Sequence, residues 1–195
     1  MSPQEYADVL RLRVNELVNN NLPLKIAATT MTVRMSSRIF VEGKDESESK
    51  IGDYSTKGIY LSDSFIATLP KVQATRKGKT GKSKFKDGRE HKTTYFEGWK
   101  GVRDEAGRQT AKVDLSFIGD LQSEFTNSPL GRPASAATPR KIDVNNYEIA
   151  VTSETNVNKA RGNEGHFGKV IFTPSKNEKE LFYTIAEKEL RQLLA

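Results

Sequence analysis

Apolar residues near the N-terminus recur with the spacing of an amphipathic helix. Ser2 and Glu5 make the S-x-x-E pattern of a capping box, in which each side chain bonds the backbone N–H of the other residue. Consecutive asparagines at 19–21, followed by Pro23, predict where this helix ends. Intervals of four, four and three place one apolar stripe on the helix, formed by Tyr6, Leu10, Val14 and Leu17.

The C-terminal residues predict a second amphipathic helix. Ser175 and Glu178 repeat the capping-box pattern, and we expect the helix to run to about Leu194. Each terminal helix therefore has an apolar face that can pack within the chain or against a neighbouring copy. The C-terminal face is formed by Leu181, Phe182, Ile185, Leu190, Leu193 and Leu194.

Residues 24–40 are ambiguous between helix and strand. Apolar residues four apart favour a helix, whereas frequent threonines and the alternation of Met31, Val33 and Met35 favour a strand. We favour a helix that ends between Phe40 and Gly43, because the run is long and no turn signal divides it.

Short elements fill the middle of the chain. Tyr95, Trp99 and Val102 predict a short helix that Gly107 ends, and Leu121 with Phe125 fits one helical turn. Short strands are predicted at 51–54, 59–61, 113–117, 142–152 and 169–172.

These elements predict an α+β fold in one domain spanning residues 1–195. A small, mainly antiparallel sheet is expected to be packed by the N- and C-terminal helices. Long loop insertions are expected at about 70–93, a flexible basic loop, and at about 127–140, a loop rich in Pro, Ala and Ser.

Positive charge is concentrated in residues 71–92. This segment holds nine Lys or Arg residues against Asp87 and Glu90, whereas the whole chain has a formal net charge of +6. Because the segment has few apolar residues to bury, we expect it to become ordered only against a negative partner. The predicted contact residues are Arg76, Lys77, Lys79, Lys82, Lys84, Lys86 and Arg89.

Three interpretations of this basic segment stay open. Its cations contact nucleic-acid phosphates, or they contact an acidic neighbour such as the 42–53 loop of another copy, or they are simply solvated. Only Phe85 interrupts the charges, so the segment gives little support for base stacking.

No catalytic, cofactor-binding or metal site is predicted, and the chain is not expected to be an enzyme. Gly81, Lys82 and Ser83 match the end of a P-loop, but Arg76 stands where the first glycine is required. His166 is expected to be a structural histidine in a glycine-rich turn. With two histidines and no cysteine, the chain has no disulfide framework and no zinc–cysteine site.

The sequence predicts no membrane partner. No apolar run approaches the ~18 residues of a transmembrane helix. Glu5 and Asp8 stand where a signal peptide would be positively charged. We therefore expect the chain to act in a reducing cytoplasm or in an assembly built there.

The block from Tyr95 to Phe125 carries a series of short motifs in a fixed order. Its parts are an aromatic and lysine-containing helix ending at Arg103, then Gly107-Arg108-Gln109-Thr110, Val113-Asp114-Leu115 and Gly119-Asp120-Leu121. The sequel is Asn158-Lys159-Ala160, Phe167-Gly168 and Thr173-Pro174 before the last helix. The pattern resembles minor virion proteins of tailed phages, in particular those of crAss-like phages of Bacteroidetes. Residues from about 115 to 194 are more loosely similar to the virion-morphogenesis (tail-completion) family.

The resemblance implies a structural protein of the phage neck or tail. It implies a homo-oligomeric ring of six or twelve copies, with twelve favoured, that connects portal and tail and surrounds the DNA path. Neighbouring portal and tail ring proteins are the implied partners. The implied location is the virion, with the host cytoplasm as the place of assembly.

The predicted interface residues are Phe96, Trp99, Arg103 and Arg108. Phe96 is included because it falls off the face that Tyr95 and Trp99 share. Nonspecific contact with the DNA backbone fits the basic loop. The alternative function is a sequence-nonspecific nucleic-acid-binding protein that uses this loop.

Overall fold

A computed structural model describes most of the chain: residues 2–69, 72, 80–84, 86, 88–115, 120–127, 141–143, 146–147, 151 and 153–194. Helices and a small antiparallel sheet confirm the α+β class. Two compact units are present, unit 1 (Met1–Ile51 with Asp114–Ala195) and unit 2 (Gly52–Val113). Unit 2 is therefore inserted into unit 1, where the sequence predicted one domain with loop insertions.

The described helices and strands follow one another as α1 (Pro3–Asn20), α2 (Leu22–Ser36), a π-helix (Ser37–Glu42), β1 (Ile59–Ser62), α3 (Asp63–Ala67), β2 (Thr80–Lys84), β3 (Glu90–Phe96), α4 (Gly98–Glu105), α5 (Asp120–Asn127), β4 (Lys141–Asp143), β5 (Asn146–Tyr147), α6 (Glu154–Phe167) and α7 (Lys176–Leu194). The predicted loop at 127–140 lies outside the described residues, apart from Asn127 at the end of α5.

Capping confirms the predicted limits of α1. Ser2 and Glu5 form the reciprocal capping box, with the Ser2 N–H donating to the Glu5 carboxylate at 2.6 Å. Asn21 adopts left-handed backbone (φ 40°) and donates its N–H to the Leu17 carbonyl at 3.0 Å. Its side chain also accepts a hydrogen bond from Leu24 N–H, so one residue ends α1 and begins α2.

The ambiguous segment 24–40 is helical, as favoured. Its threonines tolerate the helix because Thr29, Thr30 and Thr32 each donate a hydroxyl hydrogen bond to the carbonyl four residues earlier. The last turn of the segment widens into the π-helix, which ends at Gly43 in left-handed conformation (φ 68°). This widening allows three consecutive residues, Arg38 to Phe40, to be buried together.

Arg38 and Glu178 form an ion pair in the interior of unit 1. The Arg38 Nε lies 2.8 Å from a Glu178 oxygen, and both side chains are only 1% exposed. The remaining guanidinium N–H groups donate to the carbonyls of Lys44, Ile171 and Thr173 at 2.9–3.3 Å. The pair therefore joins the π-helix, the loop after it, the segment before α7 and α7 itself.

Glu178 also confirms the second predicted capping box. Its other oxygen accepts from Ser175 N–H at 2.7 Å, and its own N–H donates to the Ser175 hydroxyl at 3.2 Å.

The main helical partner of α7 is α2. Three phenylalanine rings, those of Phe40, Phe125 and Phe172, pack with centroids 6.0–6.4 Å apart in the same unit.

A second carboxylate organises the start of α6. Glu124, buried on α5, accepts hydrogen bonds from the Ser153 N–H at 2.8 Å and the Ser153 hydroxyl at 2.6 Å. The Asn156 side-chain amide donates to the same carboxylate. These contacts fix α6 against α5, as does the ion pair between Lys159 and Asp120 at 2.7 Å.

Two predicted strands in unit 1 and at its border are wrong. Residues 169–172 form no strand, because the Glu164 carboxylate accepts from the N–H groups of Ile171 and Phe172 that a strand ladder would use. Residues 113–115 form none either, since Leu115 has left-handed backbone (φ 49°). Phe117 lies outside the described residues. The predicted strand at 142–152 is described only as the short antiparallel pair β4–β5.

Unit 2 contains the three-stranded sheet, in the order β1-β3-β2. The predicted strand at 59–61 is confirmed, but 51–54 is not its partner; β1 pairs with β3, from Ile59 opposite Phe96 to Ser62 opposite Thr93. Tyr95 therefore lies on a strand rather than on the predicted helix, and α4 starts only at Gly98.

The flexible loop predicted at 70–93 is wrong for its described C-terminal part. Residues 80–84 are β2 and pair with Glu90–Thr94 of β3, from Thr80 opposite Thr94 to Lys84 opposite Glu90. Thr93 and Thr94 on β3 are buried, so the base of the hairpin is held by residues outside the charged set. Arg76, Lys77 and Lys79 lie outside the described residues.

Removing one member of the buried ion pair should destabilise the protein strongly. We expect Arg38→Met or Glu178→Met to cost about 3–5 kcal/mol each, because the remaining charge stays buried without its partner. The double variant should cost less than the sum of the two single variants. Urea denaturation of all four proteins measures this coupling, and additive losses would contradict it.

Candidate interaction surfaces

The end of the β2–β3 hairpin projects past the third strand. The register places β1 against Thr93–Phe96 only, whereas β2 continues along β3 to Glu90. Residues 82–84 and 90–92 therefore form a two-stranded ribbon. We call these residues, with Lys86, Gly88 and Arg89 from the connection between the strands, the basic ribbon.

Five cations lie on the basic ribbon, against one described carboxylate. In an antiparallel pair, directly opposite residues share a face, so Lys82, Lys84 and Lys92 point to the same side. Lys82 stands directly opposite Lys92, and its ammonium lies 3.3 Å from the Glu90 carboxylate. Lys84, Lys86 and Lys92 are exposed and form no ion pair with any described residue. Lys82 and Lys92 therefore face each other as like charges, whereas Glu90 contacts Lys82 and stands opposite Lys84.

The backbone of the P-loop-like residues does not have the structure of a P-loop. Gly81, Lys82 and Ser83 lie within β2, whereas the glycine and lysine of a P-loop precede a helix. His166 lies on the last turn of α6, exposed and edge-to-face with Phe167, and not in the predicted turn. Across the described ranges, no group of three or more acidic, His or Cys side chains is placed to hold a metal.

Two of the four predicted interface residues are buried, so their prediction as exposed contacts is wrong. Phe96 is 2% exposed, because its position on β3 faces the interior of unit 2 opposite Ile59. Arg103 is equally buried: its guanidinium lies 4.5 Å from the Tyr54 ring centroid, and its Nε donates to the Gln109 carbonyl at 3.0 Å.

The other two predicted interface residues are accessible. Arg108 is exposed. Trp99 is 39% exposed and packs edge-to-face against Phe65, which is 40% exposed, with ring centroids 6.2 Å apart. Phe65 was not predicted. Phe65 is the third residue of α3, a short helix capped by Ser62. A helix of this length has no repeating sequence pattern that would relate Phe65 to Trp99.

The apolar stripe predicted on α1 is only partly covered. Tyr6 and Val14 of the stripe are 53% and 48% exposed, and Val18 beside it is 55% exposed. None of the described side chains of α1 is fully buried. On α7, a second exposed apolar line is formed by Tyr183, Leu190 and Leu194, whose spacing of seven and four places them on one face. No helix within the described ranges is long and apolar enough to cross a membrane.

The acidic residues of the 42–53 loop are largely engaged within the chain. Glu42 pairs with Arg34 at 2.6 Å and with Lys44 at 2.8 Å. Asp45, which is buried, pairs with Lys169 at 2.6 Å. The Glu48 carboxylate accepts from Ser175 and from the Asn177 amide of α7. The loop is therefore a poor acidic surface for another copy's basic ribbon.

These contacts lower two pKa values. For Glu42, the hydrogen bond from Lys44 and the charge of Arg34 hold the pKa below its usual value despite partial burial. For Asp45, burial opposes ionisation, but hydrogen bonds from Lys169 and from the Ser49 N–H outweigh it and hold the pKa low.

Acid should therefore weaken unit 1 through Asp45. A lowered pKa contributes stability that is complete above the ordinary aspartate range and lost as the pH falls below about 4. We expect Asp45→Asn to destabilise the protein by roughly 1–3 kcal/mol at pH 7. The variant should also lose less folding stability than the unchanged protein when the pH is lowered. Urea midpoints at pH 7 and at about pH 3.5 measure both effects.

Glu16→Gln, on the exposed side of α1, is the matched control for this change. It should leave both midpoints close to those of the unchanged protein. Equal acid dependence in Asp45→Asn and in the unchanged protein would contradict the assignment.

Comparison with known proteins adds no relative: no protein-family model, curated protein or solved structure matches this chain.

Proposed function

We propose that this chain is a structural virion protein of a tailed bacteriophage. Its copies form a ring in the neck or tail that connects portal and tail and surrounds the DNA path. Six or twelve copies fit such a ring, and twelve matches a dodecameric portal. The neighbouring portal and tail ring proteins are its further partners, and assembly takes place in the host cytoplasm.

The observation that carries the proposal is the exposed stripe on α1. Tyr6, Val14 and Val18 are half exposed on one line of a helix that has no fully buried described side chain. Apolar surface of this kind is stabilised when it is removed from water, so a partner surface is expected. The residue pattern from Tyr95 to Phe125, which resembles that of phage virion proteins, supports the same function.

The exposed line on α7 supplies a suitable partner surface. Tyr183, Leu190 and Leu194 lie on a different helix from the α1 stripe, so the two surfaces form a heterologous pair. When α1 of one copy packs on α7 of the next, every copy uses both surfaces. Such head-to-tail contacts generate a ring if the rotation between copies closes.

Charged substitutions in either surface should prevent ring formation. We expect Val14→Glu with Val18→Glu, or Tyr183→Glu with Leu194→Glu, to leave monomers, because glutamate cannot be buried in an apolar contact without a partner. Mass measurement in solution, supported by negative-stain images, identifies the species. Gln4→Glu with Asn15→Glu adds the same charge to α1 away from the stripe and should leave rings intact.

Mixing the two defective proteins tests the direction of the contact. Each retains one functional surface, so a heterologous contact predicts that the mixture forms dimers and nothing larger. An unchanged protein that is monomeric at all concentrations would contradict the self-assembling ring. Rings that persist in both charged variants would show that the contact lies elsewhere.

A sequence-nonspecific nucleic-acid-binding protein is the second candidate function, favoured by the basic ribbon. Measuring the mass and the DNA affinity of the unchanged protein separates the two candidates. A nucleic-acid-binding protein should bind DNA as a monomer, whereas a ring subunit should form rings.

A further inference from the structure

We infer that the basic ribbon is an arm that binds the phosphate backbone of duplex DNA without reading its sequence. The inference deepens the proposed function, since it rests on a DNA path beside the ring subunit for its biological setting. Its structural basis lies in unit 2 alone. Measuring DNA binding and assembly on the same samples therefore separates its failure from that of the ring.

The register concentrates the charge where the sheet is only two strands wide. Opposite β1, the residues of β3 are buried or half-buried, whereas beyond β1 the ribbon carries Lys82, Lys84 and Lys92. Two antiparallel strands are narrow enough to approach a groove of duplex DNA, whose major groove admits such a ribbon. The cations lie in the part of the sheet that can make this approach.

Repulsion within the ribbon favours an anionic ligand. Lys82 and Lys92 are held opposite each other by the hairpin register, which is unfavourable for like charges. Glu90 neutralises only part of this charge, through its contact with Lys82. A phosphate oxygen between the two ammonium groups would relieve the repulsion and release counterions from the DNA.

The described residues of the ribbon provide no support for a preference for single-stranded DNA. Proteins that bind single strands stack bases on aromatic side chains. The described residues of the ribbon include no Phe, Tyr or Trp, and Tyr60 and Tyr95 lie on the face of the sheet opposite Lys82 and Lys92. The lysine face also holds no Arg, Asn or Gln among the paired residues, so base-edge readout is not supported.

The acidic loop is a weaker candidate for this ligand. Glu42, Asp45 and Glu48 all bond side chains of unit 1. An acidic segment of a neighbouring protein would need carboxylates without such partners.

Binding of a 20-base-pair duplex, followed by fluorescence anisotropy between roughly 50 and 200 mM salt, tests the inference. We expect Lys82→Gln with Lys92→Gln to weaken binding at the lowest salt by at least about tenfold. The slope of log affinity against log salt should become shallower by about two, one for each lost phosphate contact. Glu90→Gln should instead strengthen binding severalfold, because it frees Lys82.

Lys57→Gln with Lys100→Gln is the matched control. Both lysines are exposed in unit 2, near the end of the sheet where Ile59 pairs with Phe96, away from the ribbon. This double variant removes the same charge and should leave the affinity and the salt slope nearly unchanged. Circular dichroism establishes that all variants are folded.

Several results would overturn the inference. The first is that no duplex binding is detected at the lowest salt. The second is that the control variant loses as much duplex affinity as the ribbon variant. The third is that a single strand of the same length binds more tightly than the duplex. Loss of assembly in the ribbon variants without any DNA binding would identify a protein contact instead. Mass measurement on the same samples keeps the two proposals apart: rings without DNA binding contradict only the arm, and DNA-binding monomers contradict only the ring.

Discussion

The buried ion pair between Arg38 and Glu178 is the contact on which the geometry of unit 1 depends. A guanidinium in the interior is tolerated only when its donors are satisfied, and here one carboxylate and three carbonyls accept from them. Those acceptors come from segments more than a hundred residues apart in sequence. The π-helix contributes to this arrangement. Its wider turn lets Arg38, Ile39 and Phe40 face inward together. The pair therefore connects α7 to the π-helix, to the loop after it and to the segment before α7.

Local signals in the sequence were sufficient for α1, α2 and α7, whereas α6, for which no helix was predicted, was missed. The capping boxes at Ser2 and Ser175, the stop at Asn21 and the end at Gly43 all depend on residues within four positions of one another. Such interactions are encoded by short patterns, so spacing alone predicts them. The threonines in residues 24–40 made that segment harder to assign from the sequence. Only the helical structure shows that their hydroxyl groups donate to the carbonyls four residues earlier.

Contacts between distant segments account for the errors. The Glu164 carboxylate accepts hydrogen bonds from two N–H groups in the segment 169–172, where a strand was expected. An alternating sequence pattern gives no indication of such a carboxylate. The hairpin of unit 2 was missed because charge dominated the composition of residues 71–92, whereas its order depends on Thr93 and Thr94 pairing across strands. Phe96 and Arg103 were placed at an interface because local spacing does not show that Phe96 pairs opposite Ile59 or that Arg103 packs on Tyr54. In the candidate surfaces, the charge was predicted from the sequence, but the shape that presents it was not.

The single-residue junction at Asn21 affects how α1 would behave in the proposed ring. Because α1 has no fully buried described side chain and is joined to α2 through one left-handed residue, it has little buried surface to lose by separating from the rest of unit 1. Regions of this kind open locally at a small fraction of the free energy of global unfolding. A neighbouring copy that covers the stripe would thus lock α1 in place as it docks. Subunit association and the closing of this helix would then be one thermodynamic event, and the free subunit would fluctuate where the assembled subunit is rigid.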